Sequence, residues 1–170
     1  MSVLPTPCEN LAESEAIRQL RTNLLAHQSV TSSHNGKPPS QRGRTYLFTS
    51  AEPHEGKSLI VANLACSMAQ MGRRVLVIDA DMRRPSQQEA FKLSNERGLS
   101  TLLARPDVPW QSVARTNADL DLSVISSGPI PPNPGDLLKS NRFAALLETI
   151  SKECDMVLID TPPALAVSDA

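Results

Sequence analysis

The stretch Tyr46-Leu47-Phe48-Thr49-Ser50-Ala51-Glu52-Pro53-His54-Glu55-Gly56-Lys57-Ser58 decides the fold: an apolar strand, a polar turn and the first turn of a helix. Its last eight residues approach G-x-x-x-x-G-K-[ST], with Ala51 in place of the first glycine. In that pattern a loop of backbone N–H groups wraps phosphates, the lysine reaches the terminal ones and the hydroxyl holds Mg²⁺. The helix starting near Lys57 adds the positive end of its dipole to the same anion. Pro53, His54, Glu55, Gly56, Lys57, Ser58 and Leu59 are therefore the candidate nucleotide-binding residues. A Gly-Lys-Ser tripeptide alone is as readily an ordinary helix start, so the assignment needs support from the rest of the chain.

That support comes from two further runs. Val75-Leu76-Val77-Ile78-Asp79 is wholly apolar until its terminal carboxylate, with Ala80 and Asp81 following, and Met156-Val157-Leu158-Ile159-Asp160 repeats the design before Thr161-Pro162-Pro163 stops it. Unbroken apolar strands mean burial on both faces, as in a parallel sheet covered by helices. Ligands of such sheets sit outside the carboxyl ends of the strands. Lys57, Ser58, Asp79, Asp81 and Asp160 are thus expected at one rim. A single carboxylate at a strand end more commonly caps the next helix; three motifs ending this way beside a phosphate loop make coincidence a poor account.

Composition narrows the function. A chain of 170 residues with 40% hydrophobic content can bury one core, so a single globular unit is expected. A net charge of -1 gives no general attraction to nucleic acid. Cys8, Cys66 and Cys154 lack a C-x-x-C pair and read as reduced thiols, and with His27, His34 and His54 they show no zinc-ligand spacing. No run approaches the roughly 20 apolar residues of a membrane span, so membrane association is expected only through a partner.

Along the chain, residues 1–28 read as a segment built around a helix from Leu11 to His27, 29–44 as a flexible polar loop and 45–170 as the nucleotide-binding region. Ile17, Leu20 and Leu24 share one helix face; Glu15, Arg18 and Arg21 lie on the other. Helices are expected at Leu59–Met71, Gln87–Leu93, Leu99–Ala104, Trp110–Arg115 and Asn141–Glu153, and a further strand at Leu120–Ser126. Gly128-Pro129-Ile130-Pro131-Pro132-Asn133-Pro134-Gly135 reads as an ordered turn or loop. The alternation predicts an α/β fold with a mostly parallel sheet flanked by helices.

With these residues quoted, the chain resembles the cytoplasmic catalytic domain of bacterial tyrosine kinases, the autokinases of capsule and exopolysaccharide assembly. The resemblance rests on E-x-x-R-x-x-R at Glu15, Arg18 and Arg21; S-x-x-P-x-E-G-K-S at Ser50 to Ser58; h-h-h-D-x-D-x-R-x-P at Val77 to Pro85; G-P-x-P-P-N-P at Gly128 to Pro134; and D-T-P-P at Asp160 to Pro163. Partitioning and division-site ATPases share this P-loop fold, but they carry a signature lysine five residues before the catalytic one, where this chain has Glu52.

The resemblance implies phosphoryl transfer from Mg·ATP to a tyrosine of a protein substrate. Lys57 is the implied phosphate contact, Ser58, Asp79 and Asp160 the implied Mg²⁺ contacts, and Asp81 the residue placed to orient the acceptor; which aspartate acts as base stays open. Arg83 or Arg84 is equally a phosphate contact, a contact to a neighbouring chain or a surface arginine. Glu15, Arg18 and Arg21 are the implied homo-oligomer contacts. A membrane activator protein is the implied partner, recruiting a cytoplasmic chain to the inner face of the plasma membrane. The resemblance further implies strands beyond D-T-P-P, so the sheet is expected to lack its last strands, leaving a form that is impaired or completed by a partner. The single tyrosine, Tyr46, opens the strand before the phosphate loop, where burial or pairing is expected rather than phosphorylation.

Overall fold

The computed structural model describes residues 15–32, 43–117 and 119–165. Five strands, β1 (Arg44–Phe48), β2 (Val75–Asp79), β3 (Arg115–Asn117), β4 (Leu122–Ile125) and β5 (Met156–Asp160), form one sheet in the order β1-β5-β2-β4-β3. All pairings are parallel except the antiparallel β3–β4 ladder. Every residue of β2 and β5 is buried, as their unbroken apolar runs require, whereas β1 at the edge alternates between half-buried and exposed.

Successive side chains of a strand point to opposite faces, and each face meets its own layer. Val75 and Val77 of β2, Val124 of β4 and Leu158 of β5 pack with helix α2 (Lys57–Gln70), against which Leu20 and Leu24 of helix α1 (Glu15–Ser32) also rest. Leu76, Ile78, Val157 and Ile159 face α4 (Leu99–Ala104), Trp110 and α6 (Asn141–Glu153). Ala62, Ala65 and Ala69 let α2 lie close on the sheet, and with Leu64 and Met68 they are buried. Full burial of each large aliphatic side chain stabilises the fold by roughly 1.5–3 kcal/mol. Gly72, at φ 76°, ends α2 by donating its N–H to the Ala69 carbonyl at 2.9 Å. On α6 the Ser140 hydroxyl caps the first turn by accepting from the Phe143 N–H.

The structure departs from the sequence expectations in several places. The helix expected over Gln87–Leu93 is only α3 (Gln87–Ala90). Trp110–Ser112 is a single 3₁₀ turn, and Arg115 opens β3 instead of closing a helix. The proline-rich turn gives way to α5 (Pro134–Leu138), because Pro134 at the first helical position has the right φ and no N–H to waste. Cys66 is disulfide-bonded, which sequence spacing could not reveal, while Cys154 is a buried free thiol. Of the polar segment 29–44, residues 29–32 continue α1, Arg44 opens β1 and 33–42 lie outside the described residues. Among the described residues no helix is long and apolar enough to cross a membrane.

Candidate active site

Register builds the site. Phe48, Asp160 and Asp79 stand side by side across β1, β5 and β2, so three strands end level at one rim. The Ala80 N–H donates to the Asp160 carbonyl at 2.8 Å, and the Thr161 N–H and hydroxyl both donate to the Phe48 carbonyl, at 3.0 and 2.9 Å. At the opposite end, Arg74 and Asp155 clamp β2 to β5: the guanidinium donates to Oδ1 at 2.6 Å and the Arg74 N–H to Oδ2 at 2.9 Å. That contact holds the Asp155 carboxyl below its ordinary range.

Above the rim lies a cavity of about 680 Å³ lined by the 53–59 loop, Ser50, Asp81, Arg83, Arg84, Ser86, Glu89, Ala90, Pro162 and Pro163. The loop bends at two left-handed residues, His54 at φ 66° and Gly56 at φ 83°. No atom lies within 4 Å of where a Cβ on Gly56 would stand, so its requirement is conformational and not one of space. A non-glycine residue at positive φ costs of order 1 kcal/mol, and His54 bears it in the phosphate loop. Glu55 folds the loop back on itself: its Oε2 accepts the N–H groups of Ala51 and Glu52 at 3.0 and 3.2 Å.

Lys57 and Ser58 open α2. The Lys57 ammonium pairs with Oδ1 of Asp160, whose carboxylate is fully buried, and lies 3.3 Å from the Ser58 hydroxyl. A cation therefore already stands between two of the three expected metal contacts, Ser58 and Asp160; the third, Asp79, accepts three backbone N–H groups. Among the described residues no three His, Cys, Asp or Glu side chains cluster as a metal cage. The Ser58 hydroxyl and the Asp160 carboxylate are oxygen donors of the kind Mg²⁺ takes together with phosphates and water.

Asp79 does the capping work of a strand-end carboxylate. Its Oδ1 accepts the Asp81 N–H at 3.1 Å, and its Oδ2 accepts those of Ser86 and Gln87 at 3.0 and 2.9 Å. Burial pushes its carboxyl up to about 7, the neighbouring Asp160 adds to the rise and the three backbone donors oppose it. Asp81, at the cavity wall, turns the chain in the same way, its Oδ1 accepting the N–H groups of Arg83 and Arg84 at 3.2 and 2.9 Å.

Of the residues singled out from sequence, the loop 53–59 and Asp81 line the cavity, while Asp79 and Asp160 are fully buried and do not line it; Asp160 reaches it only through its contact with Lys57. Glu15, Arg18 and Arg21 do not line it. Arg18 lies 3.8 Å from Glu15 on the exposed side of α1, and the Arg21 guanidinium donates to the Ser67 hydroxyl of α2 in the same chain. Sequence reading missed Ser86, Glu89 and Ala90 at the cavity wall, and above all Gln87. Its fully buried amide nitrogen donates to the Ser58 carbonyl at 3.0 Å and to Oδ2 of Asp160 at 2.7 Å. No spacing rule marks a lone glutamine; its place seven residues after Asp81's neighbour Ala80, at the first helical position after a proline turn, was the available signal.

The profile of an AAA domain family matches residues 54–169. The tyrosine-protein kinase YwqD of Bacillus subtilis is 43% identical over 157 residues, covering 92% of this chain and 62% of that protein. The kinase domain of the Escherichia coli tyrosine kinase ETK superposes with a TM-score of 0.81 at 38% identity, covering 100% of this chain and 64% of that one. The chimerical protein CapA2B2 superposes at 0.78 with 34% identity, covering 99% of this chain and 72% of that one. The chain thus spans somewhat less than two thirds of the Bacillus relative's length. The septum site-determining protein MinD of Pyrococcus horikoshii, at 19% identity and a TM-score of 0.58, shares the fold alone. Phosphate loop, double-aspartate strand, buried terminal aspartate and these likenesses agree: the chain belongs to the bacterial tyrosine-protein kinase family.

Proposed function

We propose that this chain transfers the γ-phosphoryl group of Mg·ATP to a tyrosine hydroxyl of a protein substrate, in the service of capsule or exopolysaccharide synthesis and export. The observation that carries the reading is the Lys57 ammonium held between Ser58 and Asp160 at the mouth of a phosphate loop. Phosphoryl transfer needs positioning and charge neutralisation more than covalent chemistry, and this site is built for both. Backbone N–H groups of residues 53–58 and the N-terminus of α2 hold the phosphates. Lys57 exchanges Asp160 for the β- and γ-phosphate oxygens. Ser58 and Asp160 would hold Mg²⁺, which would supply neutralisation of charge on the phosphate oxygens. Asp79 stands behind them and fixes the turn that carries Asp81 to the cavity wall, where Asp81 orients the acceptor hydroxyl.

The chain works as a homo-oligomer at the inner face of the plasma membrane, brought there by a membrane activator protein. Glu15 and Arg18, on the exposed side of α1, meet the neighbouring copy, whereas Arg21 secures α1 to α2. The position of Glu52, where a switch ATPase places its signature lysine, counts against that alternative.

The test is phosphotyrosine formation on a tyrosine-rich acceptor peptide with Mg·ATP. The reading predicts product that Lys57→Met abolishes; a folded, nucleotide-binding sample that makes none would overturn it.

A further inference from the structure

Gln87 holds together three parts of the site that come from separate stretches of sequence. Its amide nitrogen bridges the Ser58 carbonyl in the first turn of α2 and Oδ2 of Asp160 at the end of β5, and its backbone N–H donates to Asp79 at the end of β2. The amide orientation follows from chemistry: both side-chain partners only accept, so the nitrogen must face them. The amide oxygen is consequently buried without a hydrogen-bond partner among the described residues. A buried orphan acceptor is destabilising, and a methionine of equal length would fill the same space without one. The amide oxygen therefore contributes nothing here, and the reason for an amide lies in what its nitrogen holds.

Asp160 supplies the reason. Its two oxygens have separate duties: Oδ1 faces the Lys57 ammonium, and Oδ2 is taken by Gln87. When Lys57 leaves for a phosphate, Gln87 is the one side chain among the described residues that still holds the carboxylate against rotation. We propose that Gln87 is a positioning residue that locks Asp160 so that Oδ1 is presented to the cation site, and that it ties the same carboxylate to the α2 turn bearing Ser58. The inference rests on the reading of Asp160 as a Mg²⁺ contact. Outer partners of metal-binding carboxylates typically alter metal affinity or activity by about 10–100-fold.

The experiment compares ADP affinity with and without Mg²⁺ by calorimetry in the full chain, alongside kcat and KM for peptide phosphorylation. Gln87→Met is expected to reduce the Mg²⁺-dependent gain in ADP affinity by about tenfold. Mg²⁺-free ADP affinity should stay as in the unsubstituted protein, and kcat should fall with little change in KM. Gln87→Leu, which likewise removes the donor and adds no charge, carries the same prediction if the methionine variant folds poorly. In an Asp160→Asn background, Gln87→Met should cost nothing further, because its effect passes through that carboxylate. Equal weakening of ADP with and without Mg²⁺, together with a lower Tm, would mean a packing role and would overturn the proposal. So would an unchanged Mg²⁺ effect in both Gln87 variants while Asp160→Asn abolishes it. An unchanged Mg²⁺ effect in Asp160→Asn itself would overturn the metal reading of Asp160 first, and this inference with it.

Discussion

Raising the pH should weaken the nucleotide-free fold through Asp79. Two carboxylates, Asp79 and Asp160, lie fully buried in adjacent register, and the one ammonium described beside them pairs with Asp160. Asp79 is left with three backbone donors, and burial lifts its carboxyl to about 7. In the unfolded chain the same group ionises near its ordinary value of about 3.9. Below that value both states hold the proton and the advantage of the neutral group is fully present. Between about 4 and 7 the unfolded state has lost its proton while the folded state keeps it, so stability falls as pH rises; above about 7 both are ionised and the curve flattens. Integrated from pH 5 to pH 8, the loss is about 2–3 kcal/mol. Urea unfolding followed by far-ultraviolet circular dichroism across that range, without nucleotide or Mg²⁺, measures it. Asp79→Asn shifts the absolute stability by changing the hydrogen bonds, but it should remove this component of the slope. Parallel curves for the two proteins would refute the assignment of a raised carboxyl to Asp79.

Three other outcomes follow from local geometry. A Cβ at Gly98 would stand 2.1 Å from the Ser126 carbonyl oxygen and 2.2 Å from the Gly128 nitrogen, both backbone, so Gly98→Ala should destabilise the fold by at least about 1–3 kcal/mol in urea unfolding. Gly56→Ala meets no atom but must adopt φ 83°, so it should cost about 1 kcal/mol and weaken ADP binding in calorimetry; unchanged affinity would contradict the role of that backbone bend. Burial raises the Cys154 thiol to about 11, so at pH 8 it should react with iodoacetamide far more slowly in the native protein than in urea, as peptide mass mapping would show.

The central sheet was legible because its strands are chemically extreme. A run such as Val75 to Ile78 leaves no polar face, admits only a doubly covered position, and ends on the aspartate that marks the ligand rim. Helix α6 was legible from its amphipathic pattern, and α2 from its small and apolar residues ending at Gly72. What escaped the sequence depends on contacts from elsewhere. Strand β3 consists of Arg115, Thr116 and Asn117, with no apolar alternation; its antiparallel ladder to β4 and the 2.9 Å contact of the Thr116 and Ser123 hydroxyls hold it in place. Helix α5 did carry a signal, Pro134 followed by Gly135 and Asp136, which the surrounding prolines obscured. At the site, the residue types that bind phosphate announce themselves, but those that hold them do not. Gln87 acquires its place from Ser58, 29 positions away, and Asp160, 73 away, and Arg21 acquires its partner Ser67 from 46 away.

The destination of the γ-phosphate tests the account most directly. With γ-labelled ATP, Mg²⁺ and a tyrosine-rich acceptor peptide, label on tyrosine and label released as inorganic phosphate can be counted in one reaction. The account predicts label on tyrosine well above release to water, lost in Lys57→Met and strongly reduced in Asp81→Asn. Label found only in water, accompanied by nucleotide-driven dimers, would contradict it and make the chain a switch ATPase.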